Sequence, residues 1–214
     1  MFHIFKIYFV PASVLIPLAI GLLRYKALNK SYRFLIAFLS FSALSSMIAR
    51  VFAYVYHNNL IIIQSYTVGE FLFLSGFYYR QFNSLILKRI ITAFVLLFVP
   101  FASYFIIHYA DKIHYDDYGA SIETLLIILL GIILINNNSS SSQKSESWAL
   151  NPTNWFNTGI LLYFSGSMFL FLFANINVDG NSLIYNITSI MHATLLTLLS
   201  VLFTVGFLKI KNGQ

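Results

Sequence analysis

Glu70 lies within Gln64-Ser-Tyr-Thr-Val-Gly-Glu-Phe-Leu-Phe-Leu-Ser-Gly76, an apolar run whose other polar side chains include Gln64 and Thr67. A carboxyl group in such a setting can exchange a proton, hold a cation or anchor a ligand, and without such a role its burial only costs free energy. Three more ionisable residues fall in apolar runs: Arg50, Glu123 and His192. Residues three or four apart on a helix share a face, which groups these residues with polar neighbours. Ser42, Ser46, Arg50 and Tyr54 form one ridge. Thr67 adjoins Glu70 with Gln64 a turn away, and Tyr185, Ser189 and His192 share a third face beside Thr188. Polar ridges on separate helices predict a common cavity, open toward the outside, with Arg50, Gln64, Thr67, Glu70, Glu123, Ser189 and His192 as its ligand-binding lining. Each residue also has a plain structural role. Arg50 and Glu70 would pin two helices as an ion pair, His192 would pack as a hydrogen-bonded ring, and Glu123 would be solvated near a span end.

The elements that position these residues follow from composition. Of 214 residues, 58% are hydrophobic and only 9% charged, against about 25% charged in ordinary soluble domains. The chain reads as an all-α polytopic membrane protein, a single seven-helix bundle over residues 1–214. The net charge of +6 does not point to nucleic acid, because the basic residues form short clusters between apolar runs and no continuous stripe. There are no cysteines, which excludes disulfides, thiolate metal sites and a cysteine nucleophile. No cofactor and no metal ion are expected.

Seven apolar spans can be marked: Phe5 to Leu23, Phe34 to Tyr56, Leu60 to Tyr79, Ile90 to His108, Gly119 to Ile135, Trp155 to Ala174 and Leu183 to Leu208. The first is longer than a signal-peptide core, contains Pro11 and Pro17, and lacks a cleavage motif, so it reads as a retained helix. The Asn/Ser-rich stretch 136–147 reads as a flexible cytoplasmic loop. Ten of the 13 lysines and arginines fall in alternate connections or the tail: Arg24, Lys26, Lys30, Arg33, Arg80, Lys88, Arg89, Lys144, Lys209 and Lys211. The remaining connections hold Asp111, Asp116, Asp117 and Asp179. The positive-inside rule therefore puts the N-terminus outside and the C-terminus in the cytoplasm. At a rise of about 1.5 Å per residue, Glu70 would lie about 15 Å from the outer edge and Arg50 about 9 Å. By the same rise His192 is about 14 Å deep, with Glu123 shallower.

Gly69-x5-Ser75-Gly76 in the third span is echoed by Gly159-x5-Ser165-Gly166 in the sixth. An inverted transporter repeat would explain this, but close helix packing at small residues does so more simply. Pro17 and Pro100 lie within spans and predict kinks. The last span has no lysine before Lys209, which argues against a retinal pigment. Neither an Asp-Arg-Tyr-like nor an Asn-Pro-x-x-Tyr motif occurs in a span, which argues against the eukaryotic-type receptors. No Pro-Gln pair marks a sugar-transporter repeat. Glu70, Glu123 and His192 could together face a metal, yet His-x-x-x-His and His-Glu-x-x-His are absent, so an enzyme is disfavoured.

Tyr66-Thr-Val-Gly-Glu70-Phe, Phe156-Asn-Thr-Gly-Ile-Leu-Leu-Tyr-Phe-Ser-Gly166 and Ile190-Met-His192-Ala-Thr resemble segments of uncharacterised small seven-helix bacterial inner-membrane proteins. Similar helices serve as sensory transmembrane regions ahead of signalling domains such as histidine kinases. The resemblance implies equivalents of Glu70, Tyr163 and His192 and no particular activity. This chain departs from the sensory proteins in ending soon after Lys211, so signalling would pass through a partner protein.

The expectation is thus a multi-pass protein of the bacterial inner membrane. Its partners are the lipid bilayer, a small or lipid-like ligand and a signalling protein. The first reading is a sensor or receptor-like module, with a small proton- or cation-coupled transporter and a structural or assembly subunit as alternatives.

Overall fold

The computed structural model describes residues 10–109, 117–140, 148–174 and 182–210. Every regular element among them is helical. Seven α-helices follow in order: α1 (Val10–Leu23), α2 (Lys30–Tyr56), α3 (Leu60–Gln81), α4 (Leu85–Tyr109), α5 (Asp117–Ser140), α6 (Pro152–Ala174) and α7 (Ser182–Lys209), with 3₁₀ turns at Tyr25–Ala27 and Trp148–Leu150. Five helical stretches are long and apolar enough to cross a membrane: Lys30–Tyr56, Leu60–Gln81, Leu85–His108, Gly119–Asn137 and Ile187–Lys209; the part of α1 from Ala12 to Leu23 is apolar but shorter. This is the architecture of a helical membrane protein, in which each backbone polar group finds its partner inside its own helix.

Helices outrun the apolar spans because the flanking polar residues cap them. Asn29 accepts the Tyr32 amide at 2.9 Å and starts α2 four residues before the apolar run. Asn58 accepts the Leu60 amide at 2.9 Å, and Asn151 takes that of Thr153 at 3.0 Å. Between α2 and α3 the chain reverses at His57, which adopts the left-handed conformation with φ 54°. Pro17 and Pro100 lie inside α1 and α4, which continue past them. The polar run from Asn136 begins as helix, since α5 extends to Ser140. Residues 141–147, with Lys144, lie outside the described residues, as do Lys6, Asp111, Lys112, Asp116, Asp179 and Lys211.

The chain divides into two compact units, residues 29–126 and residues 1–28 with 127–214. In the first, α2 and α3 are antiparallel. Ser31 Oγ donates to the Phe77 carbonyl at 3.2 Å and accepts from Gln81 at 2.9 Å, while Ser42 meets Tyr66 further along. Rings of α2 lie over the glycines of α3: a Cβ at Gly69 would collide with Phe41, and one at Gly76 with Phe34. Helix α4 packs on α3 with Phe98 against Phe71, ring centroids 4.5 Å apart. Lys88 stands over the Tyr79 ring at 5.5 Å. These contacts set the register, which gathers Lys30, Arg33, Arg80, Lys88 and Arg89 at one end of the unit.

In the second unit α6 and α7 form another antiparallel pair. Gly166 faces Leu195, Gly206 faces Phe156, and Phe156 sits edge-on to Phe203 and Phe207 at 5.3 and 4.8 Å. The glycines of the two motifs that echo each other in sequence therefore each face side chains of the neighbouring helix of their unit, as small residues do where helices pack in membranes. Helix α1 runs parallel to α7: Ser13 lies 3.4 Å from Ser200, and further along both helices Arg24 donates to the Phe207, Leu208 and Ile210 carbonyls. Asn157 of α6 donates to the Gly131 carbonyl of α5 at 3.0 Å, fully buried.

Candidate functional site

The position of Glu70 follows from how α3 is wedged. One flank of the helix carries Tyr66 and Gly69 against α2, and another carries Phe71 against α4. Glu70 falls between them and is 5% exposed. Tyr66 precedes it by four residues, so the two side chains share a face. The Tyr66 ring stacks on Phe41 with 5.8 Å between centroids and 6° between planes, which holds its hydroxyl in place. That hydroxyl donates to Glu70 Oε1 at 3.0 Å and lies 3.4 Å from Ser42 Oγ. A polar chain thus runs from α2 through Tyr66 to the carboxyl group of α3.

Glu123, near the start of α5, belongs to the same unit and is 3% exposed. Its carboxyl group is close enough to Glu70 for the two negative charges to repel. Its Oε1 is fully buried and meets no hydrogen-bond donor. Thr124 beside it is buried as well. Of the two sequence readings of Glu123, a cavity lining or a solvated group near a span end, the second does not hold, because the side chain is enclosed.

Of the other expected site residues, Gln64 and Thr67 are half-buried on α3. Gln64 Oε1 is buried without a hydrogen-bond partner, and Thr67 Oγ1 donates to the carbonyl of Ile63 on its own helix at 3.4 Å. The ridge containing Arg50 turns outward after Ser42, with Ser46, Arg50 and Tyr54 exposed. Register also separates Arg50 from Glu70. Ser42 stands opposite Tyr66, so Arg50 faces the connection just ahead of α3, about 18 Å along the axis from the carboxyl group at 1.5 Å per residue. His192 and Ser189 belong to the other unit, where both are half-buried. There the His192 ring lies 5.7 Å from that of Tyr163, and Tyr163 sits edge-on to Phe164. Two of the three residues singled out by the resemblance are therefore neighbours. Tyr185 on the same expected ridge lies outside the described side chains.

Tyr66 is the candidate residue that a search for carboxylates, histidine and basic groups alone does not reveal. Its signal was present as a phenol one turn before a membrane-depth acid, on the face that meets Ser42. Among the described residues no group of three or more histidine, aspartate and glutamate side chains could hold a metal ion. Two carboxyl groups, a phenol and an amide oxygen can instead store a proton, bind a small cation or receive a ligand's donor groups.

Comparison with known proteins finds no matching family model, no similar curated protein and no similar solved structure.

Proposed function

We propose that this chain is a sensor or receptor-like module of the bacterial inner membrane. In this reading it has seven spans, with its N-terminus outside and its C-terminus in the cytoplasm, and it binds a small or lipid-like ligand among its helices. The observation that carries the reading is the chain Ser42–Tyr66–Glu70, a hydroxyl and carboxyl link between two spans. A ligand engaging Glu70 competes for the Tyr66 proton and so changes the contact between α2 and α3. Such an equilibrium between two helix arrangements is what a sensor needs, because a ligand shifts it only by its differential affinity for the two states. The resemblance to sensory transmembrane regions supports the same reading, with output passing to a separate signalling protein.

The test is genetic and direct. A deletion strain should show a defined transcriptional change relative to wild type, and Glu70→Gln or Tyr66→Phe at the native locus should reproduce it or lock the opposite state. Full wild-type transcription in both variants, with normal protein levels, would falsify sensing through this link.

A second reading, a small proton- or cation-coupled transporter, is favoured by the proximity of Glu70 and Glu123. Purified protein in vesicles should then move protons or alkali ions, and Glu70→Gln should abolish the flux. A protein that controls transcription while its vesicles remain tight belongs to the first reading.

A further inference from the structure

We propose that Glu70 and Glu123 together form a binding site for a small monovalent cation, either a proton or an alkali metal ion. Both carboxyl groups are enclosed, at 5% and 3% exposure, and each lies within electrostatic reach of the other. Two like charges in a low-dielectric setting cannot both remain uncompensated. Tyr66 supplies one hydrogen bond to Glu70, and Oε1 of Glu123 receives none. An acceptor in this state calls for a positive or donating ligand.

Among the described residues, the unit supplies no cation of its own at this level. Helix α2 has no titratable side chain between Arg33 and Arg50, and α4 has none between Arg89 and Tyr104. From Ser31 opposite Phe77 and Ser42 opposite Tyr66, Arg33 and Arg50 fall about 8 and 18 Å to either side of Glu70 along the axis. Both are exposed. From Phe98 against Phe71, Arg89 and His108 are each displaced by about 12 Å or more. Within the unit, the described ionisable groups that face Glu70 are Tyr66 and Glu123. Gln64 Oε1, a third of a turn round and about 9 Å along the same helix, is a buried neutral acceptor without a hydrogen-bond partner. Carboxylate, phenol and amide oxygens are hard ligands suited to a proton or an alkali ion.

The site names the charge of the ligand under either functional reading, and its test reads occupancy alone. Purified full-length protein in detergent is treated with dicyclohexylcarbodiimide, which adds to protonated carboxyl groups in apolar surroundings, and the peptides are read by mass spectrometry. Labelling is expected at Glu70 or Glu123 and should be lost in Glu70→Gln/Glu123→Gln. If the ligand is an alkali ion, sodium or potassium at ten times its half-saturating level reduces labelling about tenfold at fixed pH. If it is the proton, labelling follows pH between about 5 and 9 and ignores both salts. The melting temperature of wild type should follow the same variable, and the double variant should lose that dependence. Labelling at these residues that responds to neither pH nor salt overturns the proposal, and so does a double variant that keeps the wild-type cation dependence of melting. If the double variant does not fold, the single variants and the wild-type titrations decide the matter.

Discussion

Arg24 Nη1 donates to the carbonyl oxygen of Ile210 at 2.8 Å, and to those of Leu208 and Phe207 at 3.1 and 3.3 Å, so one guanidinium closes the C-terminal end of α7 from the end of α1. The last carbonyls of a helix have no partner within it and carry the negative end of its dipole, which makes a cation the natural cap. The contact also requires α1 and α7 to end at the same level.

Arg24→Ala should therefore destabilise the protein by about 1–2 kcal/mol, with the loss concentrated at the end of α7. Thermal unfolding in detergent reads the first, and hydrogen exchange of residues 205–210 the second. Arg24→Lys should recover only part, since all three contacts are made by Nη1, which lies one bond further from the backbone than the ammonium of lysine.

Tyr66→Phe removes the hydrogen bond to Glu70 while keeping the ring on Phe41. The expected cost is about 1 kcal/mol, the usual scale for a polar contact between membrane helices. A double-mutant cycle with Glu70→Gln should show coupling, because each change removes the same bond. Additive effects would show that the link does not form.

Bulk added at the close helix contacts should be poorly tolerated. Gly69→Leu and Gly76→Leu drive a side chain into Phe41 and Phe34, at about 1–3 kcal/mol each. Gly119→Ala meets nothing within 4 Å and should leave the unfolding midpoint unchanged. Equal sensitivity at all three positions would contradict the packing.

Asn157→Leu breaks the buried contact with the Gly131 carbonyl and should cost about 1 kcal/mol. Asn157→Gln, whose longer amide overshoots the carbonyl, should not restore it. Steric trapping or denaturant unfolding in bicelles measures both.

Orientation can be read by chemistry, because the chain has no cysteine to give a background. Single cysteines at Lys26 and Asn83 should react with a membrane-impermeant maleimide only from the cytoplasmic side, and one at Asn58 only from the outside. Reversed labelling would invert the orientation drawn from the lysines and arginines.

The membrane character and the helices were legible in the amino-acid order, and so was the place along the chain where an acid is buried. Hydropathy is a sum over single residues, so apolar runs such as 60–79 declare themselves without knowledge of any partner. Even the helix extensions were latent in the sequence, since Asn29 and Asn151 are capping residues just ahead of α2 and α6. The partners of Glu70 were not legible in the same way. Depth counted from span ends sets Arg50 near it, but the rings of Phe34 and Phe41 lock α2 against the glycines of α3 in a register that places Arg50 a further stretch along and turns it outward. The same register brings Tyr66 and Ser42 together. Enclosure of Glu123 likewise depends on how the start of α5 packs within residues 29–126, and the meeting of His192 with Tyr163 depends on the seam between α6 and α7. Which side chains meet is a property of pairs, decided by close packing between helices, and only the tertiary structure contains it.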